Sequence, residues 1–287
     1  MDAHEKIQMD LLAAQIRLQS IISMGSYGSG HAGGVLSLAD LMAVLYGRVM
    51  HYNPKDPAMD DRDRLVLSKG HCGPVLYAAL ALEGFFPLDM LKTLNANGTR
   101  LPSHCNMHET PGVDMSTGSL GQGASLAVGI ALGMKLRKIP RYTYLVLGDG
   151  ECDEGQVWEA AMLAPQFKLD NLIAFVDWNH QQLDGYTDSI VELGDLEQKF
   201  RDFGWNAKTV PGHEVEAIHE AILSAQSRKN RPSMIILDTV KGKGWTQTEG
   251  KPNVHHVTIS PEQSAQAEEE IGGIIRNLEA QLKSGEA

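Results

Sequence analysis

Three near-continuous apolar runs, YLVLG at residues 144–148, LIAFV at 172–176 and MIIL at 234–237, constrain this chain more than any other feature. A strand that is apolar on successive residues must bury both of its faces. That condition is met by a parallel sheet covered by helices on either side. The intervening segments EGQVWEAAMLAPQF, DLEQKFRDFG and EVEAIHEAILSAQ carry helical spacing. A shorter run, Leu65 to Leu67, empties into SKGHCGP and a further helical segment, PVLYAALALEG, and WNAKTV reads as one more strand. The expectation is an α/β fold, with ligands gathered at the carboxyl ends of the strands, where the glycine-rich turns lie. An opening helix spans residues 5–24 and stops at GSYGSGHAGG, and Ser37 is placed as the N-cap of a second helix, LADLMAVLYG. Residues 260–287 read as a glutamate-rich amphipathic helix. With no linker or repeat, residues 1–287 are read as a single domain with N- and C-terminal helical extensions.

Composition narrows the class. A hydrophobic fraction of 43% with 21% charged residues is ordinary for a water-soluble globular chain, and a net charge of -11 argues against a nucleic-acid surface. A local anion site stays open, because a bound metal or helix N-termini can neutralise a phosphate. Three cysteines without CxxC spacing fit a reducing compartment, and the charged start MDAHEKIQMD has no signal-peptide core. The expected location is the cytoplasm.

Asp149 ends a strand between two glycines, and Asn179 ends the next apolar strand thirty residues on. If those strands are neighbours, both side chains stand at one edge of the sheet. A carboxylate, an amide and a nearby main-chain carbonyl form a hard oxygen set suited to Mg²⁺ or Ca²⁺, and Mg²⁺ completes its shell with phosphates. Gly148 and Gly150 let the backbone approach such a group closely.

The stretch GDGECDEGQVWEAAMLAPQFKLDNLIAFVDWN resembles the thiamine diphosphate motif, and in particular its transketolase form. The resemblance implies a thiamine diphosphate-binding domain. Asp149, Asn179 and the main-chain oxygen of Gln181 would hold a divalent ion, Mg²⁺ or else Ca²⁺ or Mn²⁺, against the cofactor's diphosphate, with Gly150 approaching through its backbone. It also implies that Glu154 and Glu159 belong to a carboxylate network linking paired active sites. In TGSLGQG, Gly118 and Leu120 match positions that meet the aminopyrimidine ring.

Four histidines lie in irregular segments: His31 in SGHAGG, His71 in SKGHCG, His104 in LPSHCNMH and His255 in NVHH. These segments are similar to four transketolase active-site segments. By that resemblance His31, His104 and His255 surround the sugar, and His71 and His255 lie near the diphosphate. Imidazole suits proton transfer near neutrality. His256 stands where the family has glycine, so either of the adjacent histidines could face the site, with His255 preferred by alignment. A rival reading, zinc on His104, Cys105 and His108, lacks a fourth ligand.

The resemblance covers only the first half of a full-length transketolase, so the chain looks like the N-terminal subunit of a split enzyme. A separate C-terminal subunit would carry the pyrimidine-binding domain and its catalytic glutamate, in an expected heterotetramer of two chains of each kind. The implied activity is transfer of a two-carbon ketol unit from a ketose, expected to be phosphorylated, to an aldose. A deoxyxylulose phosphate synthase-like or E1-like subunit, and a non-catalytic cofactor-binding scaffold, stand as the alternatives.

Overall fold

In a computed structural model describing residues 1–285, helices α1 (Ala3–Tyr27), α2 (Ala32–Ser37) and α3 (Ala39–Val44) precede the first long strand. A short strand β1 (Ser29–Gly30) separates α1 from α2. The remaining elements are β2 (Arg64–Leu67), α4 (Gly73–Leu82), α5 (Gln122–Leu136), β3 (Thr143–Gly148), α6 (Gly155–Gln166), β4 (Leu172–Trp178), α7 (Thr187–Ile190), α8 (Leu196–Asp202), β5 (Asn206–Pro211), α9 (Val215–Ser227), β6 (Ser233–Asp238), β7 (Val257–Thr258) and α10 (Pro261–Ser284). Five strands form one parallel sheet in the order β2-β3-β4-β6-β5. In that order β3 and β4 are neighbours, with Gly148 beside Asp177.

Alternate residues of the central strands face two different cores. Tyr144, Val146, Ile173, Phe175, Ile235 and Leu237 pack with α1, α3, α4 and α9, whereas Leu145, Leu147, Ala174, Val176, Met234 and Ile236 pack with α5, α6 and α8. The continuous apolar runs are therefore explained by helices over both faces. Strand β5 differs, because it lies at an edge and buries only Ala207 and Val210 well. Its free backbone groups are partly covered: the Arg201 guanidinium donates to the Ala207 carbonyl at 3.1 Å, and the Thr209 N–H donates to Glu197 at 2.6 Å.

Two local expectations are corrected. The opening helix does not stop at the first glycine of GSYGSGHAGG but runs to Tyr27, with Gly28 in the left-handed conformation as its C-cap. A Cβ on Gly25 would stand 2.7 Å from the Ser264 hydroxyl, so this glycine lets α10 pack against α1. Ser37 is not an N-cap: α3 begins after Leu38 without a side-chain cap. The Ser37 hydroxyl is buried and donates to Asp177 at 2.6 Å, which takes it away from the helix end. The helix expected at residues 260–287 forms as α10 behind a Ser260–Gln263 capping box, and residues 286 and 287 lie outside the described residues.

Phe175 sits in the central strand β4 and is wholly buried. Phe175→Ala should cost about 3–5 kcal/mol of stability, read as a lower urea midpoint with unchanged slope; a loss under about 1 kcal/mol would contradict this packing.

Candidate active site

The carboxyl ends of β2, β3, β4 and β6 open into a cavity of about 470 Å³. Every segment in which a histidine or a cofactor- or metal-binding residue was expected contributes to it. Asp149, Gly150, Asn179, Gln181, Glu154, Gly118 and Leu120 line it together with His31, His71, His104 and His255. Glu159 does not; it stands exposed on α6, outside the cavity. His256 is also exposed and outside the lining, although its ring lies 4.7 Å from that of His31. His255 is thus the member of the adjacent pair that faces the cavity. Cys105 is buried while His108 is exposed, which sets them in different surroundings.

Asp149 is 2% exposed and caps its own turn, with one oxygen accepting the Gly150 N–H at 2.8 Å. Its other oxygen, Oδ2, is buried without a partner. A buried carboxylate oxygen with no donor is costly, and burial, followed by the neighbouring Asp177, pushes the Asp149 pKa up to about 6. Asn179 is buried beside it; its amide donates to Asp177 at 3.0 Å, and its Oδ1 accepts the Gln181 N–H at 3.3 Å with a second lone pair to offer. The Gln181 carbonyl accepts from the Lys241 ammonium at 2.8 Å, and a carbonyl has a second lone pair to offer. The set of oxygens fits a hard divalent cation.

Packing explains the glycines. A Cβ on Gly118 (φ +144°) would stand 2.7 Å from the His104 ring, and one on Gly150 would stand 2.6 Å from the Gln182 side chain. Gly148 is different, for a Cβ there would find only ordinary contact at 3.5 Å. In HAGG, the Gly33 N–H donates to the Val254 carbonyl at 3.0 Å and its own carbonyl accepts from Gly242, so the His31 and His255 segments are stitched together. A Cβ on Gly33 would fall 2.6 Å from that Val254 oxygen.

The histidine rings form one cluster: His31 lies 5.0 Å from His71, 5.4 Å from His255 and 6.0 Å from His104, and His71 lies 5.0 Å from His255. Burial lowers all four. His71 falls to about 2, helped by Lys69; His255 to about 3, helped by Lys241; His31 to about 4, helped by His256 and His104. His104 is also lowered by burial. Near neutral pH each is an uncharged imidazole, able to donate at one nitrogen and accept at the other.

Three charged residues of the site escaped the sequence reading. Lys69 and Asp177 form a buried ion pair, and Lys241 reaches the cavity from the loop after β6. Burial opposes the charge on Asp177, but Lys69 together with hydrogen bonds from Lys69, Ser37 and Thr239 holds its carboxyl below the usual range. Burial pulls Lys241 down to about 8. The available signal was Asp177 itself, an ionisable residue within the otherwise apolar strand LIAFVDW.

Between about pH 6.5 and 4, the unfolded chain protonates His31, His71 and His255 while the folded chain does not, so stability falls as pH drops. Asp149 runs the other way between 3.8 and about 6, because the folded chain protonates it first. Three groups against one, with partial exposure allowed for, should lower stability by about 2 kcal/mol from pH 6.5 to 5.5. Urea midpoints at the two pH values check this, and equal or higher stability at pH 5.5 would refute the neutral cluster.

Residues 8–276 match the family described as transketolase, thiamine diphosphate binding domain. The chain is 49% identical over 260 residues to the 6-deoxy-6-sulfo-D-fructose transketolase subunit SqwG of Clostridium sp. (strain MSTE9), covering 91% of this chain and 94% of that protein. It is 38% identical to an apulose-4-phosphate transketolase subunit of Phocaeicola vulgatus, covering 88% and 89% of the two chains. Among solved structures, transketolase from Leishmania mexicana superposes with a TM-score of 0.86 at 31% identity, over 100% of this chain but 46% of that one. The chain therefore spans about half the length of that transketolase and about nine-tenths of the two subunits. It belongs to the transketolase family.

Proposed function

We infer that this chain supplies the diphosphate-binding half of a two-chain transketolase and transfers a two-carbon ketol unit only together with a C-terminal partner subunit. The carrying observation is the partnerless, buried Oδ2 of Asp149 in the same cavity as four uncharged histidines. Asp149, Asn179 and the Gln181 carbonyl would hold a divalent ion, with Mg²⁺ favoured by the hard oxygen donors. Thiamine diphosphate, when bound, supplies the electron sink for breaking the bond beside a ketose carbonyl. Gly150 and His71 would meet its diphosphate, and Gly118 and Leu120 its ring. Lys241, sharing the Gln181 carbonyl, would add positive charge beside the diphosphate. His31, His104 and His255 would bind the sugar hydroxyls and carbonyl and exchange protons with them, a task for which neutral imidazoles are suited.

The chain reads as one domain acting in the cytoplasm; among the described residues no helix is long and apolar enough to cross a membrane. Leu126 on α5 and Met162 and Leu163 on α6 are exposed, and Glu159 lies on the same helix as the latter pair. This apolar surface supports an α2β2 assembly in which Glu154 and Glu159 connect paired sites. The names of the relatives, a sulfonated ketose in one and a phosphorylated sugar in the other, support a donor or acceptor with an anionic end.

Asp149→Ala should abolish metal-dependent binding of thiamine diphosphate, measured by calorimetry with Mg²⁺ present. His104→Ala should leave that binding within about threefold and, in the complex with the partner, reduce ketol transfer at least a hundredfold, the lower end of the range for acid–base groups. Ketol transfer at a normal rate by this chain alone would sink the split-enzyme reading; unchanged turnover in His104→Ala would favour a scaffold. Because Asp149 must lose its proton to bind a cation, Mg²⁺ affinity should fall as pH drops below about 6, roughly tenfold per unit. A flat affinity from pH 7 to 5 would remove Asp149 from the metal site.

A further inference from the structure

Glu151 follows the Gly-Asp-Gly turn directly and has no part in the site as described so far. Its side chain is buried, at 2% exposure, and no ion pair neutralises it among the described residues. A carboxylate in that position carries a large desolvation cost unless hydrogen bonds offset it. Three donors do so. Oε1 accepts from the Ser68 hydroxyl and from the Gly121 N–H at 2.9 Å, and Oε2 accepts from the Gly148 N–H at 3.0 Å.

Those donors come from three separate segments at the carboxyl edge of the sheet. Ser68 follows β2 and precedes Lys69. Gly121 directly follows Leu120 at the N-cap of α5. Gly148 ends β3 and precedes Asp149. The surroundings are shaped around this junction. Gly121 has φ +81°, and a Cβ there would stand 2.9 Å from Glu154; a Cβ on Gly123 would stand 2.4 Å from the Ser68 hydroxyl. No other residue type at 121 or 123 would let the three segments meet on one carboxylate without displacement.

We propose that Glu151 is a positioning residue that locks the segment Gly118–Gly121 to the Gly-Asp-Gly turn. It thereby fixes the distance between the groups that receive the ring of the cofactor and those that receive its diphosphate. This rests on the reading of the cavity given under Proposed function. The carboxylate acts through backbone N–H groups on both sides and touches no reacting atom. It serves as a ruler between two binding subsites, so its loss should affect a ligand that spans both more than a ligand that fills one.

Glu151→Gln keeps the shape but sets an amide N–H against one of the donors. Calorimetry on the full chain in complex with its partner, in the presence of Mg²⁺, would compare thiamine diphosphate with inorganic diphosphate. The expected result is a Kd at least tenfold weaker for thiamine diphosphate and changed less than threefold for inorganic diphosphate. Equal losses for the two ligands, or no loss for thiamine diphosphate, would overturn the proposal. Ser68→Ala, which removes one donor and leaves the carboxylate, should show the same selectivity at roughly threefold and carries the test if Glu151→Gln does not fold; absence of any selectivity there overturns it too. A wild-type complex that binds inorganic diphosphate but not thiamine diphosphate would instead overturn the cofactor reading itself.

Discussion

The Lys69–Asp177 ion pair is the interaction on which the carboxyl edge of the sheet depends. Asp177 is wholly buried and gathers four donors: the Lys69 ammonium, the Ser37 hydroxyl and the Asn179 amide on Oδ2, and the Thr239 hydroxyl on Oδ1. These come from α2, the turn after β2, the end of β4 and the end of β6. Two opposite charges in so dry a place contribute little net stability when both are present, yet removing either one leaves the other uncompensated at a cost of about 3–5 kcal/mol. The pair therefore acts as a geometric constraint more than as a source of stability. By occupying the Asn179 amide it also decides which atom of that side chain is left for a cation.

Electrostatically the cavity is divided. Asp149 carries a carboxylate that burial and Asp177 discourage from ionising, while Lys69 and Lys241 discourage nearby imidazoles from protonating. Acid and base are each held toward the uncharged form. An incoming cation paired with an anion matches both halves, since the cation relieves Asp149 and the anion relieves Lys241. Preorganisation of this kind places the energetic strain in the free protein, so that it is released on binding and not created by it.

Much of this was legible in the sequence, because the features concerned are local. Continuous apolar runs specified both faces of β3, β4 and β6, and Asp149 and Asn179 came to one edge once those strands proved adjacent. The histidines converged because His31 and His71 follow β1 and β2 and His255 precedes β7, while the His104 ring reaches the same cluster from the loop before α5. Partnership across distant segments was not legible. Ser37 looks like a cap when only its neighbours in sequence are considered, and only the fold shows Asp177 drawing its hydroxyl inward. Nothing in the sequence around Lys69 and Lys241 marks them as buried; only the sheet places them beside buried carboxylates. The choice between His255 and His256 likewise turned on which way the chain enters β7, a tertiary matter.

The smallest sheet of the structure has a consequence for how the site is closed. Strands β1 and β7 contribute two residues each, pairing Ser29 with Thr258 and Gly30 with Val257. This clasp joins an early segment of the chain to a late one: His31 directly follows its first strand, and His255 lies two residues before its second. The strand pairs of the five-stranded sheet join segments much nearer in the chain, whereas the clasp closes a far longer loop, at an added closure-entropy cost of about 1 kcal/mol. The histidine cluster is therefore complete only when both stretches are in place. The site is thus closed by two distant stretches of its own chain, so a cut anywhere between them leaves the cluster held by noncovalent contacts alone.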